Sequence, residues 1–152
     1  KRRFKFTVCL NSISEVYSVY VFWILRHTLF PSLGGFFLPS FKKDYNIESV
    51  AGDNQTITVT DNYNDLWNTG ITRHVVIFEG TDLSKIRGFR KLTSFNGTQI
   101  VLNAALTGIT TSDIIMNLYF GYFDNDNFVR RVVSNNQIEI DLSFIEDQAN
   151  TT

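Results

Sequence analysis

The chain has 152 residues, a hydrophobic content of 43%, a formal net charge of -1 and a sequence pI near 6.1. That composition belongs to a folded protein with one ordinary core and excludes a disordered chain. It also disfavours nucleic acid as a partner, because proteins held through a phosphate backbone carry a strong basic excess. A lone cysteine, Cys9, excludes an internal disulfide and a multi-cysteine zinc site, and is expected to be a small buried apolar group.

The chain opens with Phe4, Phe6 and Val8 alternating against Arg3, Lys5 and Thr7, a half-buried strand with a basic outer face. Residues 16–25 are strongly apolar and follow Lys1, Arg2, Arg3 and Lys5, as in a signal peptide, but no small-residue cleavage site follows. At about ten residues the run is half a bilayer-spanning length, so no membrane partner is expected. Its β-branched and aromatic content predicts a buried strand, with a helix from Glu15 to Phe30 as the open alternative.

Pro31 and Gly34-Gly35 break that run, and Phe36 to Phe41 is a short apolar piece interrupted by Pro39. A regular march of short segments comes next. Gly52-Asp53-Asn54 is a turn, and Gln55 to Thr60 alternates with Ile57 and Val59 on one face. Asp61 to Gly70 reads as an Asn-rich loop anchored by Leu66 and Trp67; Arg73 to Phe78 and Ile86 to Phe95 read as strands. Asn96-Gly97 between alternating runs predicts a type I′ hairpin, with φ above zero at both positions. Gly108 to Asp113 is a Thr-rich loop, Ile114 to Phe123 an apolar strand, and Asp124 to Asn127 a turn from which Phe128 to Val133 returns. After Asn135-Asn136 the last strand should bury Ile138, Ile140, Leu142 and Phe144 on one face.

The pattern predicts an all-β fold, an antiparallel β-sandwich or partly open barrel of about eight short strands, with a short N-terminal helix as its one helical alternative. A single β domain over residues 1–146 and a flexible, polar tail at 147–152 complete the organisation.

Candidate chemistry is sparse. His27 and His74 lie in β-type runs without a cysteine or carboxylate at ligand spacing, so no metal site is expected. Asp124 to Asn127 has the alternating oxygens of a calcium loop, but lacks its Gly and distal Glu. Glu139 and Asp141 share the exposed face of an alternating strand, and Glu146 and Asp147 follow; none has a cleft partner for acid–base work. No Gly-x-Ser-x-Gly element or phosphate-cradling loop occurs, and no catalytic residue or cofactor is expected. Lys85, Arg87, Arg90 and Lys91, interleaved with Phe89, read as a solvated face before a single-stranded nucleic-acid surface. The Asn-x-Ser/Thr triplets at Asn54, Asn96 and Asn150 read as chance in an Asn-rich chain. Tyr45, Tyr63 and Trp67, read as exposed loop aromatics, are candidate platforms for a host-surface carbohydrate or a protein partner.

One segment carries a resemblance. Gly35-Phe36-Phe37-Leu38-Pro39-Ser40-Phe41-Lys42-Lys43-Asp44, the Ile57-Thr58-Val59 strand, Leu118 to Asp124 and Leu142-Ser143-Phe144-Ile145-Glu146 resemble a recurrent segment of structural proteins in tailed-bacteriophage tails. That segment has Gly-x-Phe-x-Leu-Pro-Ser/Thr-aromatic-x-x-Asp, a series of strands, Leu-x-Phe-x-x-Asp and a closing Phe-x-Glu strand. The likeness covers about residues 20 to 146, with Phe37 where the family commonly has Trp and its arginine-rich lead-in reduced to Arg26. The resemblance implies a virion component of the tail tip or baseplate, made in the bacterial host cytoplasm. It would work by assembly with other tail proteins and copies of itself, without an active site.

Overall fold

A computed structural model describes residues 3–27, 35–60, 73–124, 128–135 and 137–147. Among them the elements in chain order are β1 (Arg3–Leu10), α1 (Ile13–His27), β2 (Phe36–Pro39), β3 (Ile47–Val50), β4 (Thr56–Val59), β5 (Arg73–Phe78), β6 (Ile86–Phe95), β7 (Gln99–Leu102), β8 (Ile114–Phe123), β9 (Val129–Ser134) and β10 (Gln137–Glu146). The fold is therefore all-β with one short N-terminal helix. The described residues form ten strands where about eight were expected, because short β2 and β3 are strands in their own right. The chain packs as two compact units, one of Lys1–Phe37 with Phe120–Asn150 and one of Leu38–Tyr119. In both the sheet is open and antiparallel and does not close into a barrel.

The first unit is built on β10. Its alternation places Ile140, Leu142 and Phe144 in the core as expected. Along one side it pairs with β1, from Arg3 opposite Ile145 to Leu10 opposite Ile138. Along the other it pairs first with β9, from Gln137 opposite Ser134 to Asp141 opposite Val129, and then with β8, at Phe144–Phe123 to Glu146–Gly121. Among the described residues β9 therefore pairs with β10 and does not return along β8. β8 and β9 run the same way along β10, as one strand interrupted opposite Leu142 and Ser143. At the interruption the Asp124 N–H donates to the Ser143 carbonyl at 2.8 Å, and Arg3 reaches the Asp124 carboxylate at 2.6 Å. Gly121 is required where β8 meets β10: a Cβ there would collide with the Ile145 carbonyl. Glu146 is the last residue of β10 and is buried.

Residues 16–25 are helical, not a strand, and the reason is local. Ser12 caps the helix, its Oγ accepting the Glu15 N–H at 3.2 Å, while the Glu15 carboxylate accepts the Asn11 N–H at 2.8 Å. Val16, Val19, Tyr20 and Trp23 then fall at the spacing of one helical face. Val16 and Trp23 are buried with Leu10, Phe123, Ile140 and Leu142, and Trp23 and Tyr20 pack on Phe128 with ring centroids 5.6 and 5.1 Å away. Burying a Trp and a Val on a sheet face outweighs the mild helix disfavour of their branched and aromatic side chains. No helix among the described residues is long and apolar enough to cross a membrane.

The second unit orders its strands β8–β5–β6–β7–β4–β3. One core holds Tyr45, Ile57, Val75, Ile77, Leu92, Ile100 and Ile115, and the opposite face of β5 and β8 buries Val76, Phe78, Met116 and Leu118. The hairpin at Asn96-Gly97 forms, but not as type I′: only Gly97 has positive φ, at 95°, and Asn96 instead accepts the N–H groups of Thr98 and Gln99 on its side chain.

The loop that carries the phage resemblance is fastened by two polar residues. The Asp44 carboxylate accepts the Asn117 N–H at 2.7 Å and the Ser40 hydroxyl, and Ser40 N–H donates to the Asn117 carbonyl at 2.9 Å. Between these anchors Phe41 is held at φ 58°, in the left-handed region an aromatic residue rarely adopts, with its side chain 64% exposed.

Removing the helix cap tests the local account. Ser12→Ala should destabilise the chain by about 1 kcal/mol, seen as a lower urea midpoint at unchanged slope. An unmoved midpoint would remove the cap from the explanation.

Candidate interaction surface

The first unit carries a surface that residue types alone did not reveal. While Val16 and Trp23 point inward, Ile13 is 79% and Tyr17 67% exposed on the same first turns of α1. By register Arg130 stands beside Ile140 and Val132 beside Ile138, so both project from the face of β9 that carries α1. Between helix and strand runs a groove of about 330 Å³ lined by Ile13, Val16, Tyr17, Tyr20, Phe128 and Arg130. Val132, 73% exposed, continues the apolar strip along β9. Monomeric soluble domains seldom leave so many large apolar side chains together in water unless something covers them.

Two further features make the groove a recognition surface. Among the described residues β9 pairs only with β10, so the backbone groups of Val129 to Val133 that face away from β10 form an open strand edge. Charge is the other. Arg131 is spent on the opposite face, 3.1 Å from Glu139 and 3.3 Å from Asp141. Arg130, on the groove wall, has no ion pair or hydrogen bond among the described residues.

The residues singled out in the sequence fall elsewhere. Tyr45 is not a loop platform: it is 1% exposed, with its hydroxyl donating to Asn117 Oδ1 at 3.0 Å. Its apolar ring fills the core of the second unit, where the buried hydroxyl still finds an acceptor. Tyr63 and Trp67 lie outside the described residues, as do the loop Asp61 to Gly70 and residues 125–127 of the calcium-like run. His27 lies in α1 rather than in a strand. His74 is on β5, and burial first, with the charge of Lys91 second, holds its imidazole below the ordinary 6.5. Cys9 is exposed, because its position on β1 faces away from α1. No three potential metal ligands converge among the described residues.

The basic strip of β6 is largely committed to the fold. Arg90 donates to the carbonyls of Phe89, Ala104 and Ala105, which ties down the loop after β7. Arg87 holds Asp113 through Nε at 2.8 Å and Nη2 at 3.2 Å. Asp113, fully buried, also accepts the N–H groups of Gly80 and Thr110. Burial alone would raise its carboxyl, but the hydrogen bonds from Arg87, Gly80 and Thr110 prevail and hold it below the ordinary 3.8. Arg87 and Arg90, expected on a solvated face, are thus held by hydrogen bonds within the fold instead.

Compared with known protein families, with curated proteins and with solved structures, the chain matches none.

The Asp113 clamp has a pH signature. Its folded value lies below the unfolded one, so its stabilisation is complete above 3.8 and is lost as pH falls through the lowered value. Asp113→Asn should cost about 3 kcal/mol at neutral pH and flatten the acid limb of the stability profile. Unchanged thermal midpoints at pH 7 and pH 3 would show that the pair contributes nothing.

Proposed function

We propose that this chain is a non-catalytic structural protein that works by assembly, as a component of the tail tip or baseplate of a tailed bacteriophage. The observation that carries the assembly half is the groove between α1 and β9, where Ile13, Tyr17 and Val132 stand in water beside an open strand edge. Such a surface favours association, since covering it removes apolar area from water and pairs the edge.

The phage half rests on the resemblance of Gly35 to Asp44. The form of that loop suits the same work. Asp44 and Asn117 fasten its base while Phe41 is exposed, and a backbone already held in place loses little entropy when a neighbour covers the ring.

The experiment is incorporation into particles. Ile13→Asp combined with Tyr17→Asp changes two exposed side chains, so thermal unfolding should be unaltered. In purified tails probed with an antibody to the chain, the wild type should be present and the double variant depleted about tenfold or more. Tails that lack the wild-type chain, or that take up the variant equally well, would overturn the proposal.

A further inference from the structure

Resting on the assembly reading, we infer that the occupant of the α1–β9 groove is an extended, acidic segment of a different protein, added as a strand to the open edge of β9. The edge itself sets the form of the ligand. Among the described residues, the outer backbone groups of Val129 to Val133 have no strand partner, and an added strand satisfies them in the way β10 satisfies the inner ones.

The side chains set its chemistry. In an added antiparallel strand, residues opposite Val132 and Arg130 lie on the groove face, within reach of Tyr17 and Ile13. The position opposite Val132 favours an apolar side chain. The position opposite Arg130 favours a carboxylate, because this cation has no partner among the described residues. β10 already uses the same chemistry on the far face, where Glu139 and Asp141 flank Arg131. A β9 edge from a second copy is the wrong ligand: two antiparallel β9 strands bring Arg130 and Arg131 of one near those of the other.

The test uses the full chain and a fluorescein-labelled peptide, Thr-Ile-Val-Glu-Glu-Ile-Thr, read by fluorescence polarisation. A Lys-Lys peptide replaces the two glutamates in one control, and a proline replaces the second glutamate in another. The acidic peptide should bind at least about tenfold more tightly than either control. Arg130→Glu, an exposed substitution, should reverse the preference in favour of the Lys-Lys peptide, and Arg130→Gln should abolish it. Amide exchange should slow at Val129 to Val133 when the acidic peptide is bound.

Equal binding of all three peptides would mean apolar capture alone and overturn the inference. So would an unchanged preference in Arg130→Glu, or protection that maps away from β9. The two readings fail separately. Depletion of the Ile13→Asp/Tyr17→Asp variant from tails with no binding of the acidic peptide leaves assembly standing and removes the acidic strand. Binding of the peptide with no chain in tails removes the phage setting instead.

Discussion

Trp23 of α1 lies against Phe128, on the face that Leu10, Ile140 and Leu142 present, and this packing governs the rest of the first unit. A helix of 15 residues has little stability of its own in water, so α1 exists because this stripe is buried. Seating the stripe has a second effect. It fixes the rotation of the helix about its axis, and Ile13 and Tyr17, a quarter-turn or so away, are left in solvent. The groove is a by-product of the same contact that makes the helix.

The interruption between β8 and β9 has a similar double role. A strand following a hairpin would have returned along β8. Instead the pairing with β10, which β8 leaves at Phe123, resumes at Val129, and β9 continues along the flank of β10 with its own outer edge uncovered among the described residues. Placing Arg130 in the middle of that edge guards it against indiscriminate pairing, since an apolar or basic strand cannot satisfy it. Specificity then comes from the charge, and affinity from the valines and the groove.

Two buried carboxylates fasten loops in the second unit. Asp44 ties the Ser40 loop to β8, and Asp113 ties the start of β8 to Gly80 and Arg87. Each receives several donors, which is the condition under which a buried carboxylate stabilises a fold. Arg87, spent on Asp113, is therefore a structural residue of the β6 strip and not a solvated cation.

The strands were legible in one dimension wherever a period of two met a water–core boundary. Ile57 and Val59, or Ile140, Leu142 and Phe144, could be assigned to a face because a pleated strand buries alternate residues whatever lies opposite. α1 was legible too, in the Ser12–Glu15 cap and the Val16, Val19, Tyr20, Trp23 spacing, but residue type spoke for a strand and masked both. The site was not legible. Tyr45 carries the same side chain as Tyr17, yet one lies in a core and the other in solvent, because burial depends on which distant segments arrive beside a residue. Whether Arg130 or Arg131 finds a carboxylate depends on the register of β9 against β10. Local pattern determined the all-β class and most strand faces, since those follow from neighbours in the chain. Only the tertiary structure decided the path past Asp124, the fate of each arginine and the groove, since those follow from pairing between residues far apart in it.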